Sequence, residues 1–267
     1  MFGISMGAAA LLLTISGCGS ESDVIPPPTL QPGNEPALGA CDLVLDVTGR
    51  PGVEWVRSTL DQGFDRLATT LCQDRTVTAN LITDYSKAST CPEPTVNTNF
   101  SKENNSTRRD RLRKEAWFGI EQGEAVVAKG VRQKVDDLIN CGLYGPGADP
   151  ATAEKIKLEG TDVLSAIQTS SESMDGLPSP RTLVLFSDMR NTMPPLKMPF
   201  KGDVPEVVAS LESDGVIPDL DGAEVVVVGP GTNNDLSPAQ QAKLVRFWDA
   251  YFEAANAGSV DFRQTLG

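Results

Sequence analysis

Four oxygen-bearing side chains stand directly after apolar runs or after a glycine turn in this chain of 267 residues. They are Asp46, Thr48, Thr161 and Asp188. The chain contains no histidine, which excludes imidazole-based triads, His-ligated zinc or haem, and imidazole pH switches. Whatever chemistry these residues perform must therefore rest on carboxylate and hydroxyl oxygens.

The elements that must position these side chains alternate between apolar strands and amphipathic helices. Strands are predicted at Leu43–Leu45, Val77–Tyr85, Val96–Phe100, Thr182–Phe186, Ala223–Val228 and Val260–Phe262. Helices are predicted at Val53–Leu71, 108–141, Ala151–Leu158, Asp162–Ser171 and Glu206–Leu211, and after the capping box at Ser237. This alternation predicts a three-layer, doubly wound α/β fold with a mostly parallel central sheet and helices on both faces. In such sheets the ligand crevice lies at the carboxyl ends of the strands.

The order of these side chains resembles the von Willebrand factor A family, whose members include integrin I domains. There an Asp-x-Ser/Thr-x-Ser motif follows the first strand, a Thr at a Gly-Thr turn opens a helix, and an Asp ends the fourth strand. The resemblance spans about residues 40–265, with an insertion at about 86–150, and rests on Leu-Val-Leu-Asp-Val-Thr-Gly and Leu-Val-Leu-Phe-Ser-Asp.

The resemblance implies a metal-ion-dependent adhesion site. Asp46, Thr48, Thr161 and Asp188 would hold Mg²⁺ or Mn²⁺, because hard cations take oxygen ligands. One coordination position would stay open for an acidic group on a protein partner. The residues expected to contact that partner are Arg50, Met189, Asn191 and Met193.

The chain departs from the family at the end of the first motif, where Arg50 stands in place of Ser. A guanidinium has donors and no acceptor, so it cannot ligate a cation. Two alternatives stay open. Either Arg50 points away and leaves a weakened site, or it pairs with a carboxylate in place of a cation and the domain is metal-free.

The first forty residues predict export and a lipid anchor. Residues 1–17 carry no charge, and the apolar run 8–15 is too short to span a bilayer. The following Leu-Thr-Ile-Ser-Gly-Cys resembles a bacterial lipobox, which implies cleavage before Cys18 and its acylation, as with palmitate. Residues 18–40 form a Pro- and Gly-rich tether. The domain at 41–267 would then sit outside the cytoplasm, anchored to the cell membrane in the periplasm or at the surface.

The remaining cysteines are an even set in an oxidising compartment. They are Cys41, Cys72, Cys91 and Cys141. Four cysteines allow three pairings. Cys41 begins a strand and Cys72 ends the helix after it. A strand followed by a returning helix brings the chain back to the end of the sheet where the strand began. Pairing of these two is favoured, which leaves Cys91 for Cys141.

These features together predict a non-enzymatic lipoprotein that displays an adhesion-type domain for protein–protein binding at the cell envelope. The net charge of −13 disfavours a nucleic-acid partner, which needs a cationic face. Two alternatives stay open: a solute-binding lipoprotein with a small ligand in the same crevice, and a metal-assisted hydrolase using Asp46 and Asp188.

Overall fold

A computed structural model describes most of the domain and none of the N-terminal segment. The described residues are 39–48, 52–72, 75–84, 86, 91, 95–97, 129, 131–232 and 236–266. The predicted signal peptide, nearly all of the tether, Cys18 and Arg50 lie outside them. Among the described helices, none combines the length and the apolar character needed to cross a membrane.

In the described part of the chain, six strands form a single sheet. They are β1 (Ala40–Asp46), β2 (Thr76–Ile82), β3 (Thr95–Asn97), β4 (Arg181–Phe186), β5 (Glu224–Val228) and β6 (Ser259–Arg263). Their order is β3-β2-β1-β4-β5-β6; β3 pairs antiparallel with β2, and every other pair is parallel. Each of the six predicted strands is present, although Tyr85 and residues 98–100, predicted at the ends of two of them, lie outside the described residues. The chain runs outward from β1 to β3 and then returns to β4, so the topological switch point lies between β1 and β4.

The helices are α1 (Gly52–Arg66), α2 (residues 131–144), α3 (Val163–Met174), α4 (Val204–Ser213) and α5 (Pro238–Ala254). A π-helical turn, Leu67–Leu71, extends α1. The predictions of α1, α3 and α4 are confirmed, as is the capping box of Ser237 and Gln240 that opens α5. The predicted helix over 108–141 falls partly outside the described residues, and its described end belongs to α2.

The helix predicted at Ala151–Leu158 is wrong. Residues 151–153 form turns and 154–162 are irregular. The Asp149 carboxylate accepts from the backbone N–H of Ala151, and Ile156 donates its N–H to the carbonyl of Leu143. Ile156 is 47% exposed, so the segment has no apolar stripe to bury and gains nothing from helical packing.

Two apolar cores, one on each face of the sheet, make the three layers. On β4, Leu183 and Leu185 join the core beneath α3, α4 and α5, whereas Val184 and Phe186 join the core beneath α1 and α2. Both faces of the central strands are thus covered, which explains why these strands read as continuous apolar runs. The three-layer α/β prediction is confirmed.

Both favoured cysteine pairs form disulfides. Cys41 pairs with Cys72 at a Cα–Cα distance of 5.3 Å, and Cys91 pairs with Cys141 at 5.8 Å. The first bond ties the start of β1 to the end of the π-helical turn, and both of its cysteines are buried. The second ties residue 91 to α2 and is partly exposed.

Gly229 directly follows β5, has φ +86°, and lies against the ring of Trp55 on α1. A Cβ there would overlap that ring and sit on a left-handed backbone. We expect Gly229→Ala to lower the free energy of unfolding by about 2 kcal/mol. The matched control is Gly176→Ala, where φ is +71° and no atom lies within 4 Å. It isolates the backbone cost of about 1 kcal/mol. Equal urea midpoints for the two variants would contradict the expected overlap between the added Cβ and the Trp55 ring.

Candidate functional site

A chain of hydrogen bonds joins side chains from three segments at the carboxyl edge of the sheet. Thr48 follows β1, and its Oγ1 donates to Asp46 Oδ1 at 2.6 Å. The same Oγ1 lies 2.6 Å from Oγ1 of Thr161, which stands 113 positions later at the turn before α3. Ser187, just after β4, donates from Oγ to Asp46 Oδ2 at 2.7 Å. The switch point thus gathers one carboxylate and three hydroxyls.

The direction of these bonds follows from the number of hydroxyl protons. Thr48 has one hydroxyl proton, which it gives to Asp46. The proton between the two threonines must therefore come from Thr161. Among the described residues, the Thr161 oxygen accepts no hydrogen bond, so its lone pairs are available to a ligand.

Asp188 brings the second carboxylate to this edge. Its Oδ1 accepts from the backbone N–H of Arg190 at 3.0 Å, and its carbonyl accepts from the N–H of Gly231 at 3.0 Å. These bonds hold Asp188 between the loops after β4 and β5. Of the four residues predicted for the site, Asp46, Thr48 and Thr161 are in direct contact, and the charge of Asp188 acts on Asp46.

Burial raises the pKa of Asp46 from 3.8 to about 6, and the charge of Asp188 adds to this rise. The hydroxyls of Ser187 and Thr48 and the N–H of Thr48 oppose it by stabilising the carboxylate. Burial makes the ionised form of the Asp46 carboxylate costly, and a proton or a positive charge beside it lowers that cost. The site is thus electrostatically suited to a proton or a cation.

The loop after β4 packs on the turn that carries Thr161. Thr161 donates its N–H to Thr192 Oγ1 at 2.8 Å, and Thr192 returns its N–H to the Thr161 carbonyl at 2.9 Å. Gly160 permits this approach, because a Cβ there would overlap Met193 Sδ. The loop therefore fixes the position of the Thr161 hydroxyl.

The predicted partner contacts of Met189 and Asn191 are wrong, because both side chains are buried inside the domain. Met189 and Asn191 are both 0% exposed. Met189 belongs to the core beneath α5, and Asn191 bonds to three backbone groups. Met193 is partly exposed and lies against Gly160. Arg50 lies outside the described residues, so its predicted contact stays a prediction.

Asn191 holds the loop to α3. Its Oδ1 accepts from the N–H of Leu164, and its Nδ2 donates to the carbonyls of Met193 and Leu196. We expect Asn191→Ala to cost about 2 kcal/mol in unfolding free energy, because it strands buried polar groups. The measurement is the urea midpoint. The exposed neighbour Lys197→Ala is the control, and a loss no larger than in that variant would contradict the bonded role of Asn191.

Ser187 is the site residue that sequence reasoning missed. It belongs to the Leu-Val-Leu-Phe-Ser-Asp segment on which the resemblance rests, one position before Asp188. The available signal was a hydroxyl directly after a core strand, at the edge where the other oxygens were expected. The family pattern looks only at the Asp of that segment.

The donor set fits a hard divalent cation. It holds two carboxylates and three hydroxyls, and all donors are oxygen. Mg²⁺ is commonly bound through one or two carboxylates and retains several waters. The described residues contain no group of three or more Asp, Glu, Cys or His side chains that could hold a metal, so hydroxyls would have to complete the set. No protein-family model matches the chain, and no curated protein matches it.

Proposed function

We propose that this chain is a bacterial lipoprotein whose von Willebrand factor A-like domain binds a protein partner at the cell envelope through a divalent-cation site. The observation that carries the proposal is the direct contact between the Thr48 and Thr161 hydroxyls on a buried carboxylate. These residues, far apart in the chain, meet at the switch point of a mostly parallel sheet. The anchor is proposed from the lipobox at Cys18 alone.

The residues divide the work of the site by chemistry. Asp46 and Asp188 supply the negative charge of the site. The Thr48 hydroxyl contacts the Asp46 carboxylate, and the Thr161 hydroxyl contacts that of Thr48. A bound Mg²⁺ or Mn²⁺ would supply a positive charge with one coordination position open to a carboxylate of the partner. The Thr192 hydroxyl accepts the backbone N–H of Thr161 and so holds this residue in place at the site. Nothing in this arrangement requires a nucleophile or a base, so the proposal is binding rather than catalysis.

Titration of the full chain in detergent with Mn²⁺ by calorimetry tests the cation. We expect one site in the wild type and at least a tenfold weaker site in Thr161→Val, which loses only the hydroxyl. The matched control is Thr169→Val on α3, whose hydroxyl bonds to the Ser165 carbonyl of its own helix. Absence of Mn²⁺ uptake in the wild type would overturn the cation site.

Retention of envelope proteins on the immobilised chain tests the partner. We expect a defined protein to be retained with Mg²⁺, released by EDTA, and not retained by Thr161→Val. Retention that survives EDTA but is lost on Arg50→Ala would favour the metal-free alternative, in which the guanidinium stands in for the cation. Retention of a small solute and no protein would favour the solute-binding alternative.

A further inference from the structure

Ser187 brings a hydroxyl to the Asp46 carboxylate, and the first motif of the sequence has one hydroxyl fewer than the family pattern. Position 50 carries Arg instead of the final Ser of the motif, so the loop after β1 offers one hydroxyl fewer. Ser187 is 1% exposed and donates to Asp46 Oδ2 at 2.7 Å, on the carboxylate oxygen that Thr48 does not use. The two hydroxyls therefore hold the Asp46 carboxylate by one oxygen each.

Ser187 keeps coordinating capacity after these bonds are made. Its proton goes to Asp46, and one lone pair accepts the N–H of Met189 at 2.9 Å. A hydroxyl oxygen has two lone pairs, and the second takes no hydrogen bond from any described residue. This oxygen lies within hydrogen-bond distance of the Asp46 carboxylate, at the edge that carries the other site oxygens.

The position of Ser187 is set from inside the core. Met189 donates its N–H to the Ser187 hydroxyl, and its own backbone is left-handed, with φ +64°. Such a conformation costs an ordinary residue about 1 kcal/mol or more and must be held by its surroundings. Trp248 holds it: this buried side chain on α5 donates from Nε1 to the Met189 carbonyl at 2.8 Å.

We infer that Ser187 supplies the hydroxyl oxygen that position 50 lacks, and that Trp248 is a positioning residue that holds Ser187 in place through Met189. The inference rests on the proposed function, because it assigns Ser187 to the same cation site. Trp248 lies in the aromatic cluster of α5, and its Nε1 hydrogen bond to the Met189 carbonyl links it to the backbone of the loop after β4. The Trp248 hydrogen bond fixes the Met189 backbone, and the N–H of Met189 in turn holds the Ser187 hydroxyl.

Mn²⁺ affinity and unfolding free energy are measured together on the full chain in detergent. We expect Ser187→Ala to weaken Mn²⁺ binding about tenfold or more, and Ser187→Thr, which keeps the hydroxyl, to restore most of the affinity. Trp248→Phe keeps a ring but loses the N–H, and should weaken binding about tenfold, as loss of an outer partner does at metal sites. Tyr251→Phe is the matched control, because its hydroxyl bonds weakly to Val216 away from the site.

A double-mutant cycle separates positioning from general destabilisation. In the Ser187→Ala background, Trp248→Phe should cause no further loss of affinity, because the two residues act through one hydroxyl. In the metal-free protein, the Met189 amide should exchange faster in Trp248→Phe and stay unchanged in Tyr251→Phe. An equal affinity loss from Trp248→Phe in both backgrounds would overturn its positioning role.

The remaining outcomes separate this inference from the proposed function. Wild-type affinity in Ser187→Ala overturns the inference and leaves the cation site standing on the other oxygens. No Mn²⁺ uptake by the wild type overturns the cation site and, with it, the role of Ser187 as a ligand. A similar affinity loss in Tyr251→Phe would show that any disturbance of the α5 cluster acts on the site.

Discussion

Asp46→Asn is expected to stabilise the metal-free protein at pH 8 by about 3 kcal/mol and to abolish Mn²⁺ binding. Burial raises the pKa of Asp46 from 3.8 to about 6, so the folded protein has to ionise a carboxyl that resists ionisation. A difference of about two pKa units corresponds to about 3 kcal/mol at a pH above both values. Asn is neutral at every pH and avoids this cost.

The direction of the pH dependence follows from the raised pKa. The folded state binds the Asp46 proton more tightly than the unfolded state, so this residue contributes most stability below pH 3.8. That contribution is lost as the pH rises from 3.8 to about 6. The advantage of Asp46→Asn should accordingly be full above pH 7 and vanish towards pH 4. Saturating Mg²⁺ or Mn²⁺ should shrink the difference, because only the wild type binds the ion.

Urea unfolding of both proteins at pH 4, 6 and 8, with EDTA and with Mn²⁺, measures these effects. The control is Asp162→Asn, a buried acid at the start of α3 whose Oδ1 accepts from the N–H of Ser165. Asn is an equally good helix cap, so we expect a change below about 0.5 kcal/mol there. A wild type more stable than Asp46→Asn at pH 8 in EDTA would contradict the electrostatic account of the site.

Removal of the buried disulfide by Cys41→Ala with Cys72→Ala should lower the free energy of unfolding by about 4 kcal/mol. The bond closes a loop with a sequence separation of 31, and freeing such a loop raises the entropy of the unfolded chain by roughly this amount. Both cysteines also pack in the core beneath α1 and α2, so the loss includes their packing.

Guanidinium unfolding of the double variant measures this loss, and brief exposure of the native wild type to dithiothreitol provides the comparison. We expect the reductant to open the partly exposed Cys91–Cys141 bond first and to leave Cys41–Cys72 intact, as mass spectrometry after alkylation would show. A double variant as stable as the wild type, or earlier opening of Cys41–Cys72, would contradict this structural role.

Most of the candidate site could be predicted because its residues follow elements with strong local signals. The central strands are apolar on both faces, and the parallel fold places whatever follows β1 and β4 at one edge. Asp46 and Asp188 were therefore found from position and from the family resemblance. Ser187 was missed because a serine after a strand is common, and only its bond to Asp46 distinguishes it.

The loop after β4 shows where local pattern fails. Met189 and Asn191 lie in a Met- and Pro-rich stretch that reads the same whether it faces solvent or the core. Met189 is buried in the core that includes Trp248 of α5, at a sequence separation of 59, and Asn191 is held by the N–H of Leu164 on α3 and by carbonyls of its own loop. The helix predicted at Ala151–Leu158 failed for a different reason: its residues favour a helix, but they form no buried apolar stripe, since Ile156 is exposed while Leu158 packs against the core.

The positions of the strands and the helix cap at Ser237 follow from short-range patterns, because apolar period and turn residues act over a few residues. The contact of Thr48 with Thr161, the role of Ser187 and the inward turn of Met189 do not. Each depends on two distant segments being packed within hydrogen-bond distance, and the free energy that holds them there comes from the whole core. The residue types therefore predicted a cluster of oxygen-bearing side chains in this chain. Tertiary packing determined which of these side chains come into contact.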